Sequence, residues 1–287
     1  MAMDLLNTIL QGVLLGGLYA LYAAGLSLIF GVMRLINLAH GDFIVLSAFV
    51  LLAMATGFGL SLPFALLIAL PFVFAFGWGL QRILLNRTLG DDILLPLLVT
   101  FGLSIIIQNG LLLGFSADSR KLALGPIEAA SVSLGDFTLG LIPLITFISA
   151  VLLIGGLSVL FYGTRLGRTL RATSDSAEIV QIVGVNPRHV FAVAMGLSFV
   201  VLTIAAFFMG VRSNFDPSLG PARLLYAFEA VVIGGLGSLW GTLAGGIVLG
   251  VAQAVGGRIN PEWQILAGHL VFLAVILIRP RGLFPKQ

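Results

Sequence analysis

Charged side chains are scarce in this sequence: Asp, Glu, Lys and Arg make up 9% of the 287 residues, whereas 59% are hydrophobic. The mean hydropathy is +1.12. A water-soluble domain carries about 25% charged residues, so a fold of this composition lacks the polar groups to cover its surface in water. The composition excludes an ordinary soluble domain and predicts an integral membrane protein.

Cysteine and catalytic motifs are also missing. The absence of Cys excludes disulfides and thiolate metal sites. The chain has no Walker A loop, no zinc-spaced His pair and no nucleophile beside a base, and the glycines at 234–237 precede no Lys-Ser or Lys-Thr. We therefore expect no enzyme, no metal site and no cofactor bound by this chain. The net charge of only +3 calls for no nucleic-acid partner.

Long apolar runs predict an all-α polytopic fold of about eight transmembrane helices in a single domain, residues 1–287. A span needs about 20 predominantly apolar residues. Residues 1–11 contain no Lys or Arg, so we expect a retained first helix rather than a signal peptide. The long runs are residues 9–32, 43–56, 62–85, 93–113, 139–162, 190–211 and 263–278.

Two shorter apolar runs, residues 224–233 and 242–255, flank a Gly-rich stretch. At 1.5 Å per residue, a helix of about ten residues covers half the hydrocarbon core, so each run is expected to be too short to cross alone. Region 224–256 is predicted to be a re-entrant or broken segment that turns at membrane depth. One long helix kinked at the glycines is the alternative.

The placement of Lys and Arg predicts the orientation, because cytoplasmic loops carry an excess of these residues. Acidic residues, including Asp136, fall mostly on the opposite side, and the N-terminus is expected outside. Ten of the 15 basic residues are then cytoplasmic: Arg34, Arg82, Arg87, Arg165, Arg168, Arg171, Arg188, Arg279, Arg281 and Lys286.

Three polar residues, Asn37, His40 and Asp42, cluster between the first two apolar runs. Charged groups at membrane depth usually face a cavity or find a partner, which favours a broken-helix site beside a translocation path. In the simpler interpretation Asp42 caps the second helix, while His40 and Asn37 hydrogen-bond the backbone. For Asp42 itself we favour the cap.

Other polar residues lie within apolar runs. Gln108 and Asn109 are interpreted as hydrogen-bond partners between helices. Glu229 either lines a path or pairs with Arg223 or Arg212. Glycines four residues apart predict close helix packing: Gly12 with Gly16, Gly241 with Gly245, and Gly246 with Gly250.

The hydrophilic stretch 163–188 predicts a short cytoplasmic helix. Asp175 is expected to cap it, with Glu178 completing a capping box, and Gly184 to end it before Pro187. An apolar stripe at helical spacing, Ile179, Ile182 and Val183, is too small to hold the helix in water alone. It is expected to contact either a partner protein or lipid headgroups.

Four segments in this order, residues 31–43, 171–186, 232–238 and 279–284, resemble the permease subunits of branched-chain amino acid ABC importers over essentially the full length. The resemblance implies that residues 171–187 form a coupling segment that docks on an ATPase. Its implied contact residues are Arg171, Asp175, Glu178, Ile179, Ile182, Val183 and Gly184. The candidate path residues are Asn37, His40, Asp42, Gln108, Asn109, Glu229, Gly237 and Ser238.

The resemblance also implies a bacterial inner-membrane location and a set of partners. These are two ABC ATPase subunits that use ATP and Mg, an external solute-binding protein, and a second homologous permease chain in a heterodimer. An ABC permease for amides or urea is one alternative. An ion-coupled secondary transporter or channel is another, since broken segments and intramembrane acids fit it too. An intramembrane enzyme using His40 and Asp42 is remote, because nothing completes its site.

Overall fold

The computed structural model describes residues 2–89, 94–134 and 137–284, and in them the chain is predominantly helical. Ile93, Asp136 and Lys286, which the sequence arguments used, lie outside these residues. Strands β1 (Ser131–Leu134) and β2 (Phe137–Gly140) form an antiparallel hairpin. The helices are α1 (Ala2–Met33), α2 (His40–Gly57), α3 (Leu62–Ile83), α4 (Leu94–Phe115), α5 (Leu141–Gly163), α6 (Arg165–Asp175), α7 (Ala177–Ile182), α8 (Pro187–Arg212), α9 (Gly220–Gly234), α10 (Leu239–Ile259) and α11 (Trp263–Ile278).

Seven of the described helices, α1 to α5, α8 and α10, are long and apolar enough to cross a membrane. Helix α11 is apolar but shorter. The predicted all-α polytopic fold is confirmed. Helices α1 and α8 form the buried centre, and α3, α4 and α5 lie at the periphery with apolar side chains facing outward. A helix that is apolar on every side needs lipid or protein around it.

Helices α1 and α10 cross at glycines. A methyl group on Gly12 would lie 2.6 Å from Cα of Val251, and one on Gly246 would lie 2.6 Å from the carbonyl oxygen of Gly16. Real Cβ contacts do not approach this closely, so the two backbones touch directly. The packing predicted from the four-residue glycine spacing is confirmed: the pair Gly12 and Gly16 contacts the pair Gly246 and Gly250, while the third pair faces α9.

Helices α9 and α10 form a hairpin. The chain leaves α9 through Gly235 and Gly237, whose φ angles of 106° and 80° favour glycine, and a methyl group on Gly245 would collide with the carbonyl oxygen of Ala230. The alternative of one kinked helix is therefore wrong, and the predicted break is confirmed. The expected turn at membrane depth is wrong, because the turn lies at the end of a helix long enough to span. The expectation that the second run cannot cross alone is also wrong, because α10 continues past it at both ends to 21 residues.

We predict that Gly246→Ala lowers the free energy of unfolding by about 1–3 kcal/mol, the usual cost of overpacking, because the added methyl group meets the backbone of α1. Gly110→Ala in α4 is the matched control, since no atom lies within 4 Å of the position that its methyl group would take. Denaturant titration of the purified chain in micelles measures both. Equal stability of the two variants would show that α1 and α10 do not touch.

Candidate translocation path and coupling surface

Helix α1 ends in a reversal of the chain. Arg34 has a φ of 53°, a left-handed conformation that is uncommon outside glycine, while its amide still bonds the carbonyl of Phe30 at 2.9 Å. The following residues leave the helix, and the amide of Leu38 donates to Thr100 Oγ1 of α4 at 3.2 Å. A side chain of a neighbouring helix thus accepts a hydrogen bond from a backbone amide beyond the end of α1. Such partners are needed because hydrocarbon offers no hydrogen bonds to the backbone.

Helix α2 begins inside the bundle. His40 is fully buried, and its Nε2 lies 2.8 Å from the carbonyl oxygen of Tyr22. Tyr22 lies about three turns before Met33, the end of α1, which is about 16 Å along the axis. That is roughly half the thickness of the hydrocarbon core. The predicted broken helix is confirmed, as is the bond from His40 to the backbone.

Asn37 holds the bend that precedes α2. Its side chain is fully buried, and its Oδ1 accepts a hydrogen bond from the amide of Ala39 at 3.0 Å. This is the local backbone bond expected of a short polar side chain at a helix start. The interpretation of Asn37 as a residue that supports the backbone is confirmed.

Asp42 does not cap α2, so this prediction was wrong. The helix starts three residues earlier than expected, Ala39 occupies the capping position, and no side chain bonds there. Instead, Asp42 Oδ1 accepts a hydrogen bond from Gln108 Nε2 of α4 at 2.9 Å, and Gln108 also lies 3.1 Å from Ser104 Oγ. The interhelical bond predicted for Gln108 is confirmed. It joins a peripheral helix to the buried start of α2.

Asn109 was wrongly predicted to bond another helix. Its Nδ2 donates to the carbonyl of Ile105 in its own helix at 2.8 Å, and its side chain is exposed. Consecutive helical residues point about 100° apart, so only one of this polar pair faces α2.

The N-termini of α2 and α9 meet within the bundle. A methyl group on Gly41 would lie 2.7 Å from the amide nitrogen of Leu224, and one on Gly220 would lie 2.9 Å from Cα of Asp42. Neither glycine can therefore be enlarged. The partial positive charge at each helix N-terminus favours a nearby carboxylate, and Asp42 occupies that position.

Glu229 pairs with neither arginine, which corrects the predicted ion pair. Its Oε1 lies 2.5 Å from Nδ1 of His269 in α11, and the side chain is 1% exposed. The pairing of Glu229 with His269 was not predicted from the sequence. Two polar groups in separate apolar helices each require a partner, but 40 residues separate them along the chain and only packing brings them together.

Four of the predicted path and coupling residues share one cleft at the end of the bundle predicted to face the cytoplasm. It encloses about 740 Å³ and is lined by Gly237, Ser238, Arg171 and Asp175 among others. Ser238 Oγ accepts from the amide of Gly241 at 3.1 Å and so caps α10. The guanidinium of Arg171 lies 4.9 Å from the ring of Tyr162.

The coupling segment contains two helices, where the sequence indicated one. Asp175 is the last residue of α6, and the cap of α7 is Ser176, whose Oγ accepts from the amide of Ile179 at 3.3 Å. The predicted cap at Asp175 is therefore wrong, and the described contacts show no bond from Glu178 back to the capping amide. Gly184 ends the segment with a φ of 83°, as predicted.

The apolar stripe of α7 has no cover among the described residues. Ile179, Ile182 and Val183 are 64%, 85% and 74% exposed, whereas Val180 on the other side is buried. One side of this short helix is thus anchored to the bundle and the other presents an apolar surface, as expected for a docking element.

The coupling segment is tied to the break in α1. Ser174 Oγ in α6 donates to the carbonyl of Gly31 at 2.6 Å, and a methyl group on Gly31 would lie 3.4 Å from Cα of Gly237. The end of the chain returns to the same place, where the amide of Leu283 donates to the carbonyl of Ile233 at 2.8 Å. All four sequence segments that carried the resemblance therefore meet at the cytoplasmic end.

Helices that break inside the bundle around buried polar groups define a multi-pass transport protein. The chain belongs to the family of branched-chain amino acid transport system permease components, whose model matches residues 8–278. It is therefore a multi-pass inner-membrane protein and a transport component rather than an enzyme.

Similar proteins span nearly the whole chain. The high-affinity branched-chain amino acid transport system permease protein BraD of Pseudomonas aeruginosa is 28% identical over 98% of this chain and 96% of the relative. The high-affinity branched-chain amino acid transport system permease protein LivH of Escherichia coli K12 is 26% identical, again over 98% of this chain and 96% of the relative. The solved structure of PsaBC from Streptococcus pneumoniae in complex with Fab has a TM-score of 0.49 at 13% identity. The match covers 98% of this chain and 97% of that chain.

We predict that Gln108→Leu lowers the free energy of unfolding by about 1–3 kcal/mol, because Asp42 loses its donor and stays buried. Asn109→Leu, one position along the same helix, removes only an exposed local bond and should stay within about 0.5 kcal/mol of wild type. Denaturant titration in micelles compares the two. If Asn109→Leu proves the more damaging, the assignment of Gln108 as the link to α2 is wrong.

Proposed function

We propose that this chain is the permease subunit of an ABC importer that carries branched-chain or related amino acids across the inner membrane. The observation that carries the proposal is the exposed stripe of α7, anchored through Ser174 to the end of α1. Relatives named as high-affinity branched-chain amino acid permeases support the substrate class. An ABC permease for amides or urea would use the same parts.

The proposed assembly has four kinds of subunit. Two ATPase subunits bind ATP and Mg and grip the stripe on α7, while this chain binds no cofactor of its own. An external solute-binding protein delivers the amino acid. A second, homologous permease chain completes a heterodimer, and residues 1–287 act as one transmembrane domain.

Movement would pass from the coupling segment to the centre of the membrane. When the ATPases close, α7 is displaced, and α6 transmits the displacement to Gly31 at the end of α1. The reversal at Arg34 joins that end to the start of α2, where Asn37, His40 and Asp42 lie. We infer that alternating access arises from a shift of α2 against the start of α9.

The proposed path runs along the contact between α2 and the start of α9. Gln108 of α4 holds Asp42 beside this path. The path would open toward the cytoplasm at the cleft lined by Gly237 and Ser238. Asn109 and Glu229 were candidates for the same path. We propose that Glu229 acts there only indirectly, through its pair with His269, which fixes α9 against α11.

An ion-coupled secondary transporter is the second candidate. The buried Glu229–His269 pair favours it, because intramembrane carboxylates paired with histidines occur in proton relays. The discriminating feature is the coupling segment, since a secondary transporter has no need of an exposed apolar stripe on a cytoplasmic helix.

We predict that Ile179→Asp combined with Ile182→Asp reduces ATP-driven leucine uptake at least tenfold, because docking would bury two charges in an apolar groove. Gly184→Pro should act similarly, since proline cannot adopt the φ of 83° found there. Proteoliposomes containing the complete complex report uptake, and ATP hydrolysis and ATPase co-purification are measured on the same samples.

Gln181→Glu, which adds one charge at the side of the same helix, is the matched control. Its uptake should remain within about twofold of wild type, as for most surface substitutions. Normal uptake together with normal ATPase association in the double Asp variant would rule out the coupling role of α7.

A further inference from the structure

Two arginines flank the linker between α8 and α9. Arg212 is the last residue of α8, and Arg223 lies in the first turn of α9. Both are half-buried, and Arg223 lies where α9 begins inside the bundle, beside Tyr22. The linker also contains Asp216, but its Oδ1 accepts from the amide of Ser218 at 2.9 Å and from the Ser218 hydroxyl at 2.5 Å.

Neither guanidinium has an anionic partner within the described parts of the chain. No carboxylate oxygen there lies within 4.0 Å of Arg212 or Arg223. Arg212 Nη1 and Arg223 Nε are buried without any acceptor. Glu229, the acid first expected to pair with them, bonds His269 instead. A buried charged group without a partner is unfavourable, so an anion from outside the chain would stabilise these two donors.

A third unpaired donor lies beside them. Tyr22 is fully buried, and its hydroxyl has no hydrogen-bond partner. The Cζ atom of Arg223 lies 5.8 Å from the ring of Tyr22 and 6.0 Å from that of Tyr226. The neighbouring Tyr19, by contrast, donates to Gln253 Oε1 at 2.5 Å and is satisfied. Tyr22 and the arginines therefore form a cluster of donors without an acceptor.

We propose that Arg212, Arg223 and Tyr22 bind the carboxylate of the transported amino acid as it enters the bundle. This inference rests on the proposed function. Two guanidinium groups and a hydroxyl suit a planar carboxylate, to which arginine forms short, charge-assisted hydrogen bonds.

The cluster is continuous with the broken start of α2. The carbonyl of Tyr22 lies 2.8 Å from Nε2 of His40, at the start of α2. Tyr22 therefore contacts the start of α2 through its backbone, while its hydroxyl belongs to the donor cluster. Tyr22 lies within a fully buried stretch of α1. The shift of α2 against α9 proposed above would admit a small carboxylate to this hydroxyl, whereas it would not admit an acidic side chain from the surface of a docked protein. A free carboxylate is therefore the favoured occupant.

The test measures protection of individual arginines. The complete complex in nanodiscs is treated with phenylglyoxal, which modifies guanidinium groups, and mass spectrometry follows each arginine. We expect isovalerate, a branched carboxylate without an amine, to slow modification of Arg212 and Arg223 about tenfold. Isopentylamine, which lacks the carboxylate, should give no protection.

Arg258 is the internal control, because it already has partners in Thr8 and Asp4. Its modification rate should not change. Tyr22→Phe should raise the isovalerate concentration needed for half-protection by about three- to tenfold, as expected for one lost hydrogen bond to a charged group. Arg223→Lys should retain uptake better than Arg223→Gln, because it keeps the charge.

Several results would overturn the inference. They are equal protection at Arg258, equal protection by inorganic phosphate, no reaction of either arginine without ligand, and protection by the solute-binding protein but not by isovalerate. Protection does not depend on transport, so the two proposals fail separately. If the wild-type complex fails to import amino acids but isovalerate protects both arginines, the anion site stands and the proposed function falls.

Discussion

Hydrocarbon offers no hydrogen bonds to a helix end, and this constraint shapes the centre of the molecule. Both α2 and α9 begin inside the bundle, so their first amides must be satisfied or shielded by protein. The chain solves this by bringing the two ends together at Gly41 and Gly220, where no side chain larger than hydrogen fits. The bonds of Asn37 and His40 to nearby backbone stabilise the same region.

This arrangement gives the bundle a tight centre and a loose periphery. Helices α1 and α10 touch through glycines, whereas α4 is attached to α2 through side chains, among them the hydrogen bond of Gln108 to Asp42 and the ring contact of Phe49 with Phe115. The coupling segment connects to the tight part, at Gly31 of α1. A displacement of α7 would therefore reach the membrane centre through packed backbone rather than through flexible side chains. Packed interfaces of this kind switch between discrete arrangements.

Most of the fold could be predicted from the sequence, because hydrophobic periodicity, glycine spacing and scarce polar residues are local signals. They indicated the breaks near Asp42 and Gly237 and the stripe on α7. Side-chain partners could not be predicted in the same way. Glu229 bonds a histidine 40 residues away, and Asp42 does not have its expected capping role because α2 starts three residues earlier. The cap of α7 fell on Ser176 rather than Asp175, a choice that depends on where α6 ends.

The central claim is that this bundle carries solute only when a separate motor moves it. The most direct measurement is leucine accumulation in proteoliposomes that contain the permease chains with or without the ATPase subunits, each under imposed proton and sodium gradients. The account predicts uphill accumulation only when the ATPases, ATP and Mg are present. Uphill accumulation by the permease chains alone, driven by either ion gradient, would contradict it.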